Sequence, residues 1–157
     1  ISCENPTGRL MQPAHAKWVC HLGYSHFVTL NFNRDTTPGG ARTKFKDLLA
    51  RMDWSWLGKR WAARPSDDRT FAIAFMENIA TNLHLHAGFR GPPCPRPRTI
   101  PTLPGLIDMH WRKLVPGGST HISPIYDVEG FAGYITKQLV RPGSIERMLI
   151  STEFHPH

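Results

Sequence analysis

The segment TFAIAFMENIATNLHLHAGFR, residues 70–90, gives the first indication of the fold. Residues 70–77 are apolar and rich in Phe and Ile, a composition typical of a strand. Residues 78–82, NIATN, have the composition of a turn, and residues 83–90 then have that of a returning strand. The segment therefore predicts an antiparallel β-hairpin.

Another strand and a helix precede this hairpin. Residues 26–32 are β-rich and end at the turn-like residues 35–40, so they predict a strand. A helix is predicted to start near Ala41, because apolar residues recur there at i, i+3, i+4, i+7 and i+11. That apolar face consists of Phe45, Leu48, Leu49, Met52 and Trp56. The basic residues on its other face are Arg42, Lys44, Lys46 and Arg51.

The C-terminal part of the chain continues the alternation of helices and strands. Residues 104–115 predict a short helix, and residues 120–126 predict a further strand. Residues 128–140 predict a helix, with Asp127 as its N-cap and Pro142 ending it. The one close strand pair is antiparallel, and helices separate some of the strands. These features predict an α+β fold rather than a parallel doubly wound sheet.

Length and composition predict one globular domain spanning residues 1–157. The chain has 157 residues, of which 40% are hydrophobic and 20% charged, enough apolar material for one core. No apolar run approaches the ~18 residues needed to cross a bilayer, and the first residues have no signal-peptide pattern. We therefore expect a protein that is neither secreted nor membrane-bound. Because the chain starts at Ile1 rather than Met, we also expect it to be excised from a longer protein.

The charge balance predicts a polyanionic partner. Nineteen Lys and Arg against twelve Asp and Glu give a net charge of +7, which favours polyanions through release of their counterions. The excess is concentrated in residues 34–69 and 86–113. Residues 91–104 hold six of the fourteen prolines and predict an extended loop.

The cysteines predict a reducing compartment. The three present, Cys3, Cys20 and Cys94, cannot all pair, and none lies in a CxxC motif. Neither a disulfide framework nor a cysteine zinc site is therefore indicated.

The motif His84-Leu85-His86 on the returning strand predicts a metal site. Residues i and i+2 of a strand project from the same face, so both imidazoles can reach one cation. If the chain turns within residues 78–83, Glu77 lies directly across from His84. Glu77 is then the expected third ligand, with Asn82 or Asn78 as alternatives. Two histidines with this spacing also arise by chance in a chain with nine.

The last predicted helix carries a second candidate for chemistry. Its apolar stripe, Phe131, Ile135 and Leu139, predicts a packed face, and Tyr134 and Lys137 are expected on the opposite face together with Gln138 and Arg141. A phenol with a pKa near 10 is a poor nucleophile at neutral pH until a nearby cation assists it. A lysine one turn from a tyrosine supplies such a cation, although an ordinary solvated helix can have the same pair.

Three motifs in one order resemble those of a known superfamily. They are VTLN on a first strand (residues 28–31), HLH after a hairpin (residues 84–86) and YITK on a late helix (residues 134–137). Together they resemble the motifs of the HUH endonucleases, and most closely those of the replication initiator (Rep) proteins of rolling-circle plasmids and small circular single-stranded DNA viruses. The motifs extend over most of the chain. The first departs from the commonest viral form, because Phe32 follows Asn31.

The resemblance implies a fold, a cofactor and a reaction. The fold would be a central antiparallel sheet of about five strands flanked by helices, an RRM-like palm. His84 and His86, with Glu77 as the acidic third ligand, would hold Mg²⁺ or Mn²⁺. Tyr134 would be the nucleophile, assisted by Lys137, and a single tyrosine on this helix implies the single-tyrosine class.

The implied reaction is sequence-specific nicking and strand transfer on single-stranded DNA at a replication origin or hairpin, through a 5′-phosphotyrosine intermediate that initiates rolling-circle replication. Phe89, Trp111 and the arginines of residues 86–113 would supply stacking and backbone contacts to the DNA. The implied location is the cytoplasm for a plasmid or bacterial protein and the host nucleus for a viral one.

Other functions stay open. Within the superfamily, the domain would also suit a relaxase or a transposase, and a DNA-binding module without activity is a non-enzymatic alternative. His121-Ile122-Ser123 resembles half of the HxS/T pair of the metal-independent 2H phosphoesterases, but the chain offers HxH in place of the second HxS/T. A zinc hydrolase of the HxHxDH type is excluded, because residues 87–89, AGF, follow the histidine pair.

Overall fold

The computed structural model describes residues 23–93 and 102–155. The strands of this part are β1 (His26–Asn31), β2 (Phe71–Glu77), β3 (His84–Arg90), β4 (Ser119–Pro124) and β5 (Met148–Ile150). They form one sheet in the order β4-β1-β3-β2-β5, and every neighbouring pair is antiparallel. The predicted α+β class with a five-stranded antiparallel sheet is confirmed.

Within the described residues, four α-helices accompany the sheet: α1 (Pro38–Leu57), α2 (Leu103–Leu114), α3 (Val128–Leu139) and the short α4 (Ser144–Arg147). Helix α1 begins three residues earlier than predicted, because the Thr37 hydroxyl caps it by accepting from the Gly40 amide. The predicted cap of α3 is confirmed, since the Asp127 carboxylate accepts from the Gly130 amide at 2.8 Å. No helix within the described ranges is long and apolar enough to cross a membrane.

Alternation along the strands divides the sheet into two faces. On one face, Leu85, Ala87 and Phe89 of the central strand pack with α1 and α2 in the larger core. On the other face, Phe131, Ala132 and Ile135 of α3 cover side chains of β1 and β2. Those covered side chains are Phe27, Ile73 and Phe75. His84 and His86 alternate with the core residues of β3 and therefore lie on the α3 face.

The hairpin has the register that the sequence predicts. Glu77 pairs with His84, the last residue of β2 with the first of β3. The turn is tight, because Asn78 adopts a φ of 52° and its carbonyl accepts from the amides of Thr81 and Asn82. Asparagine is one of the residues that tolerate this left-handed conformation.

Two expectations about the aromatic residues are wrong. Phe89 and Trp111 are fully buried on the α1 and α2 side of the sheet, so they have no surface on which a base can stack. The Trp111 indole donates to the Asn31 carbonyl at 3.0 Å, which satisfies its polar atom within the core. The edge strand β5 was not predicted from the residues themselves, since three residues are too few for a periodic signal.

Several sequence predictions lie outside the described residues. These are the absence of disulfides among Cys3, Cys20 and Cys94, and most of the proline-rich loop, residues 94–101.

Candidate active site

Three potential metal ligands converge at the end of the hairpin. Glu77, His84 and His86 each direct one ligand atom to a common point, and these atoms lie within 4.8 Å of one another. Glu77 Oε2 is 3.6 Å from His84 Nε2 and 3.2 Å from His86 Nε2. The two Nε2 atoms are 3.1 Å apart. This cluster, predicted from the sequence, could hold a metal ion.

Both imidazoles are oriented by hydrogen bonds at their other nitrogen. His84 Nδ1 donates to the Asn82 carbonyl at 3.0 Å, and His86 Nδ1 bonds to the Thr29 hydroxyl at 3.1 Å. Partners of this kind fix the ring orientation of metal-ligating histidines and leave Nε2 for the metal. Thr29 lies opposite His86 in the register of β1 and β3. Asn82, an open alternative as a ligand, instead contributes this carbonyl.

The chemistry of these atoms fits a cation. Because His84 donates through Nδ1, its neutral ring presents a lone pair at Nε2, which faces the Glu77 carboxylate and a second imidazole. A proton on His86 Nε2 or a metal ion can satisfy three such atoms at this spacing. Ligands about 2.1 Å from a metal are about 3.0–3.4 Å apart in octahedral or tetrahedral geometry, close to the separations here. Burial is the largest effect on His86 and lowers its pKa, which favours the neutral form that binds metals.

Tyr134 adjoins the cluster through Glu77. Its hydroxyl donates to Glu77 Oε1 at 3.1 Å, and Gln138 Nε2 donates to the same oxygen at 3.2 Å. One carboxylate therefore contacts the tyrosine through one oxygen and both histidines through the other. Burial, followed by the Glu77 charge, raises the pKa of Tyr134 above its usual value, while Arg141 opposes that rise. The phenol is accordingly protonated at neutral pH.

The expected orientation of α3 needs correction. Tyr134 does not lie on a free face opposite the packed stripe; it is half-buried and its ring packs edge-on against Phe27 at 5.5 Å. Lys137 is exposed, and its side chain makes no hydrogen bond or ion pair with the described residues. The cation that acts on Tyr134 is Arg141, which also donates to Gln138 at 3.2 Å.

The contact of Gln138 with the candidate site was not predicted. Gln138 follows Tyr134 by four residues, a spacing that places two side chains on the same side of a helix. The sequence contains this spacing, but only the structure shows that both side chains contact Glu77 of β2.

Two other sequence features lie away from the cluster. His121 is exposed on β4 and pairs with Thr29, so strand β1 separates it from His86. The exposed Arg42, Lys46 and Arg51 are on α1, on the opposite face of the sheet from α3. The basic face of α1 is therefore not part of the candidate site.

No protein-family model matches this chain, and neither a curated protein sequence nor a solved structure matches it.

Proposed function

We propose that this chain is a metal-dependent endonuclease of the HUH type, which cuts single-stranded DNA with Tyr134 and becomes linked to the 5′-phosphate. The observation that carries the proposal is the shared carboxylate of Glu77. A phenol and two imidazoles, distant along the chain, meet on its two oxygens. This arrangement suits phosphoryl transfer, because the nucleophile is adjacent to a place for a cation.

Glu77, His84 and His86 would hold the ion, and Mg²⁺ or Mn²⁺ is proposed from the resemblance to HUH proteins. A divalent cation there would withdraw charge from a phosphate oxygen. In the proposed reaction the Tyr134 oxygen forms a bond to phosphorus, and the bond from phosphorus to the 3′-oxygen breaks. The phenolic proton is lost, and the departing 3′-oxygen gains a proton. The phosphotyrosine ester retains the bond energy, so a 3′-hydroxyl can reverse the reaction and rejoin strands, as rolling-circle replication requires.

The protein's own residues would hold the phenol ready for this step. Glu77 Oε1 accepts the hydrogen bond of Tyr134 and fixes the direction of its oxygen. Arg141 lowers the pKa of Tyr134 against the effects of burial and Glu77, and we propose it in place of Lys137 as the cation that assists the nucleophile. Gln138 connects Glu77 and Arg141 through its amide.

The proposal is tested by covalent trapping. The protein is incubated with single-stranded DNA that contains candidate origin hairpins and with Mn²⁺, and a denaturing gel is examined for a protein band of reduced mobility. We expect the band with wild type and none with Tyr134→Phe. Tyr24→Phe is the matched control, because the buried Tyr24 hydroxyl has no hydrogen-bond partner in the part of the chain that the structure describes. A band that persists in Tyr134→Phe would contradict the choice of nucleophile.

The metal ligands are tested by a parallel series. His84→Ala and His86→Ala should each lose Mn²⁺-dependent adduct formation, while the exposed His121→Ala should retain it. The 2H phosphoesterase alternative makes the opposite prediction: activity would survive excess chelator and would be lost in His121→Ala. Retention of DNA binding without any covalent product, even in wild type, would favour an inactive DNA-binding module.

A further inference from the structure

Two cavities of contrasting chemistry adjoin the candidate site. The first, of about 490 Å³, is polar and is bordered by Glu77, by turn residues 78–81 and by Arg141 and Arg147. Arg141 follows α3 and Arg147 ends α4, so the two guanidinium groups come from successive segments of the chain. Both arginines are exposed. This cavity therefore presents positive charge beside the carboxylate that contacts Tyr134.

The second cavity, of about 450 Å³, lies at the other end of α3 and is apolar. Phe27, Ile125, Phe131 and the ring of Tyr134 line it, and its one charged lining residue among those described is Asp127, whose carboxylate is engaged in capping α3. Its volume falls within the range of about 300–1,000 Å³ that small-ligand pockets occupy. Tyr134 thus has its hydroxyl on the polar cluster and its ring in the wall of an apolar pocket.

Tyr126 is an exposed aromatic residue in the lining of this apolar pocket. It lines the pocket in the loop between β4 and α3, yet the residue is 91% exposed. An aromatic ring in this position contributes almost nothing to the core. It is, however, free to stack on a flat ligand that enters the pocket.

We infer that the apolar pocket binds one unstacked nucleobase of a single-stranded DNA chain, with Tyr126 stacking on it, while Arg141 and Arg147 bind backbone phosphate on the other side of Tyr134. A nucleic acid strand combines anionic groups with flat rings, and the two cavities offer a complement to each. The net charge of +7 favours the same polyanion. The inference rests on the proposed function, which identifies the phosphate at Tyr134, between the two cavities, as the one that is cut.

The test is a binding measurement in chelator, where no metal-dependent cleavage occurs. The probes are a fluorescent thymidylate dodecamer and a chain of the same length that has abasic sugars throughout. We expect tighter binding of the thymidylate chain to wild type. Tyr126→Ala should weaken thymidylate binding about 5- to 150-fold, the effect of removing one stacking platform, and should leave abasic binding unchanged. Tyr126→Trp should restore thymidylate binding.

Two further variants make the result specific. Trp54→Ala is the matched control, because Trp54 is an aromatic residue of α1 with 55% exposure and belongs to the opposite side of the sheet. It should bind both probes as wild type does. Arg141→Ala should weaken the binding of both probes alike. It should also lower the salt dependence of binding, because about one fewer counterion is released.

Equal binding of the two probes, or an unaltered thymidylate affinity in Tyr126→Ala, would overturn the inference and leave the pocket to an apolar peptide or a second copy of the chain. Failure of the proposed function is distinguishable, because it would remove the covalent adduct while base-dependent binding in chelator persisted.

Discussion

A methyl group added at Gly88 should shift α3 and leave the proposed metal ligands in place, so it separates the contributions of the two. Gly88 is buried on β3, beneath the helix. A Cβ added there would lie 2.4 Å from Cζ of Phe131 and 3.0 Å from the ring of Tyr24. Ordinary contact begins at 3.4 Å, so Phe131 must withdraw by about 1 Å.

The helix is expected to move with the Phe131 ring. Phe131 packs edge-on against Tyr24 at 5.1 Å and against Phe27 at 5.8 Å, so its ring has little room to rotate. Phe131 precedes Tyr134 by three residues, and a shift of α3 therefore displaces the proposed nucleophile. Overpacking of this kind costs about 1–3 kcal/mol of stability. A misplacement of about 1 Å at a reacting group can lower a rate about 100-fold.

Three measurements test Gly88→Ala. Urea unfolding should show the loss of stability, and single-turnover adduct formation should be about 100-fold slower at a temperature where the variant is fully folded. Stabilisation by Mn²⁺ should persist, because Glu77, His84 and His86 belong to the sheet. Adding Phe131→Leu should recover part of the rate. Gly39→Ala is the control, since nothing lies within 4 Å of its added Cβ. Wild-type rates in Gly88→Ala would refute the reasoning.

Three other perturbations have defined outcomes. Mn²⁺ at about 100 times its Kd should stabilise the fold by ~2.7 kcal/mol and raise Tm by about 5–10 °C; in Glu77→Ala this shift should disappear in a thermal melt. Asp53→Ala should destabilise the protein in urea by about 3–5 kcal/mol, because it leaves the buried Arg69 guanidinium without the carboxylate 3.1 Å away; a loss under 1 kcal/mol would contradict this. Burial lowers the pKa of His110 and His155 in the folded protein. As the pH falls below about 6.5, these histidines are therefore protonated in the unfolded chain before they are protonated in the folded one. Stability should then decline by up to ~1.4 kcal/mol per pH unit for each histidine, and His110→Gln should reduce that slope.

The hairpin and its cluster of Glu77, His84 and His86 were predictable because they depend on local rules. Alternation along a strand places His84 and His86 on one face, and a tight turn places Glu77 across from His84. Both features require only that the turn fall within residues 78–83, which the asparagines at its ends favour. The predicted cluster therefore depends on few long-range contacts.

The orientation of Tyr134 was harder to predict, because it depends on the angles of the side chains around α3. At about 100° per residue, Tyr134 is only about 60° from Phe131 around the helix, and Gln138 is about 20° from it. These residues flank the packed face rather than oppose it, whereas Lys137, about 120° away, points to solvent. A division of α3 into two opposite faces omits this intermediate sector, where side chains contact the sheet and remain near solvent.

Long-range burial likewise escapes sequence patterns. Trp111 and Phe89 are aromatic residues of the kind that can stack on bases, but the sheet and helices enclose both side chains in the core. The strand β5 pairs with β2 over three residues, Met148–Ile150. Its pairing depends on the path of the chain after α3, which the local sequence does not encode.

The register of β3 connects the stability of the protein to the proposed chemistry. Leu85 and Phe89 are buried with no exposed surface on the face opposite His84 and His86. A slip of one residue would exchange the two sets, placing both imidazoles in the apolar core. Exposure of the two large side chains alone would cost about 3–6 kcal/mol, before the penalty for burying imidazoles. The core formed by α1 and α2 thus holds Glu77, His84 and His86 together, so mutations that loosen that core should impair the proposed metal binding even though they change none of these three residues.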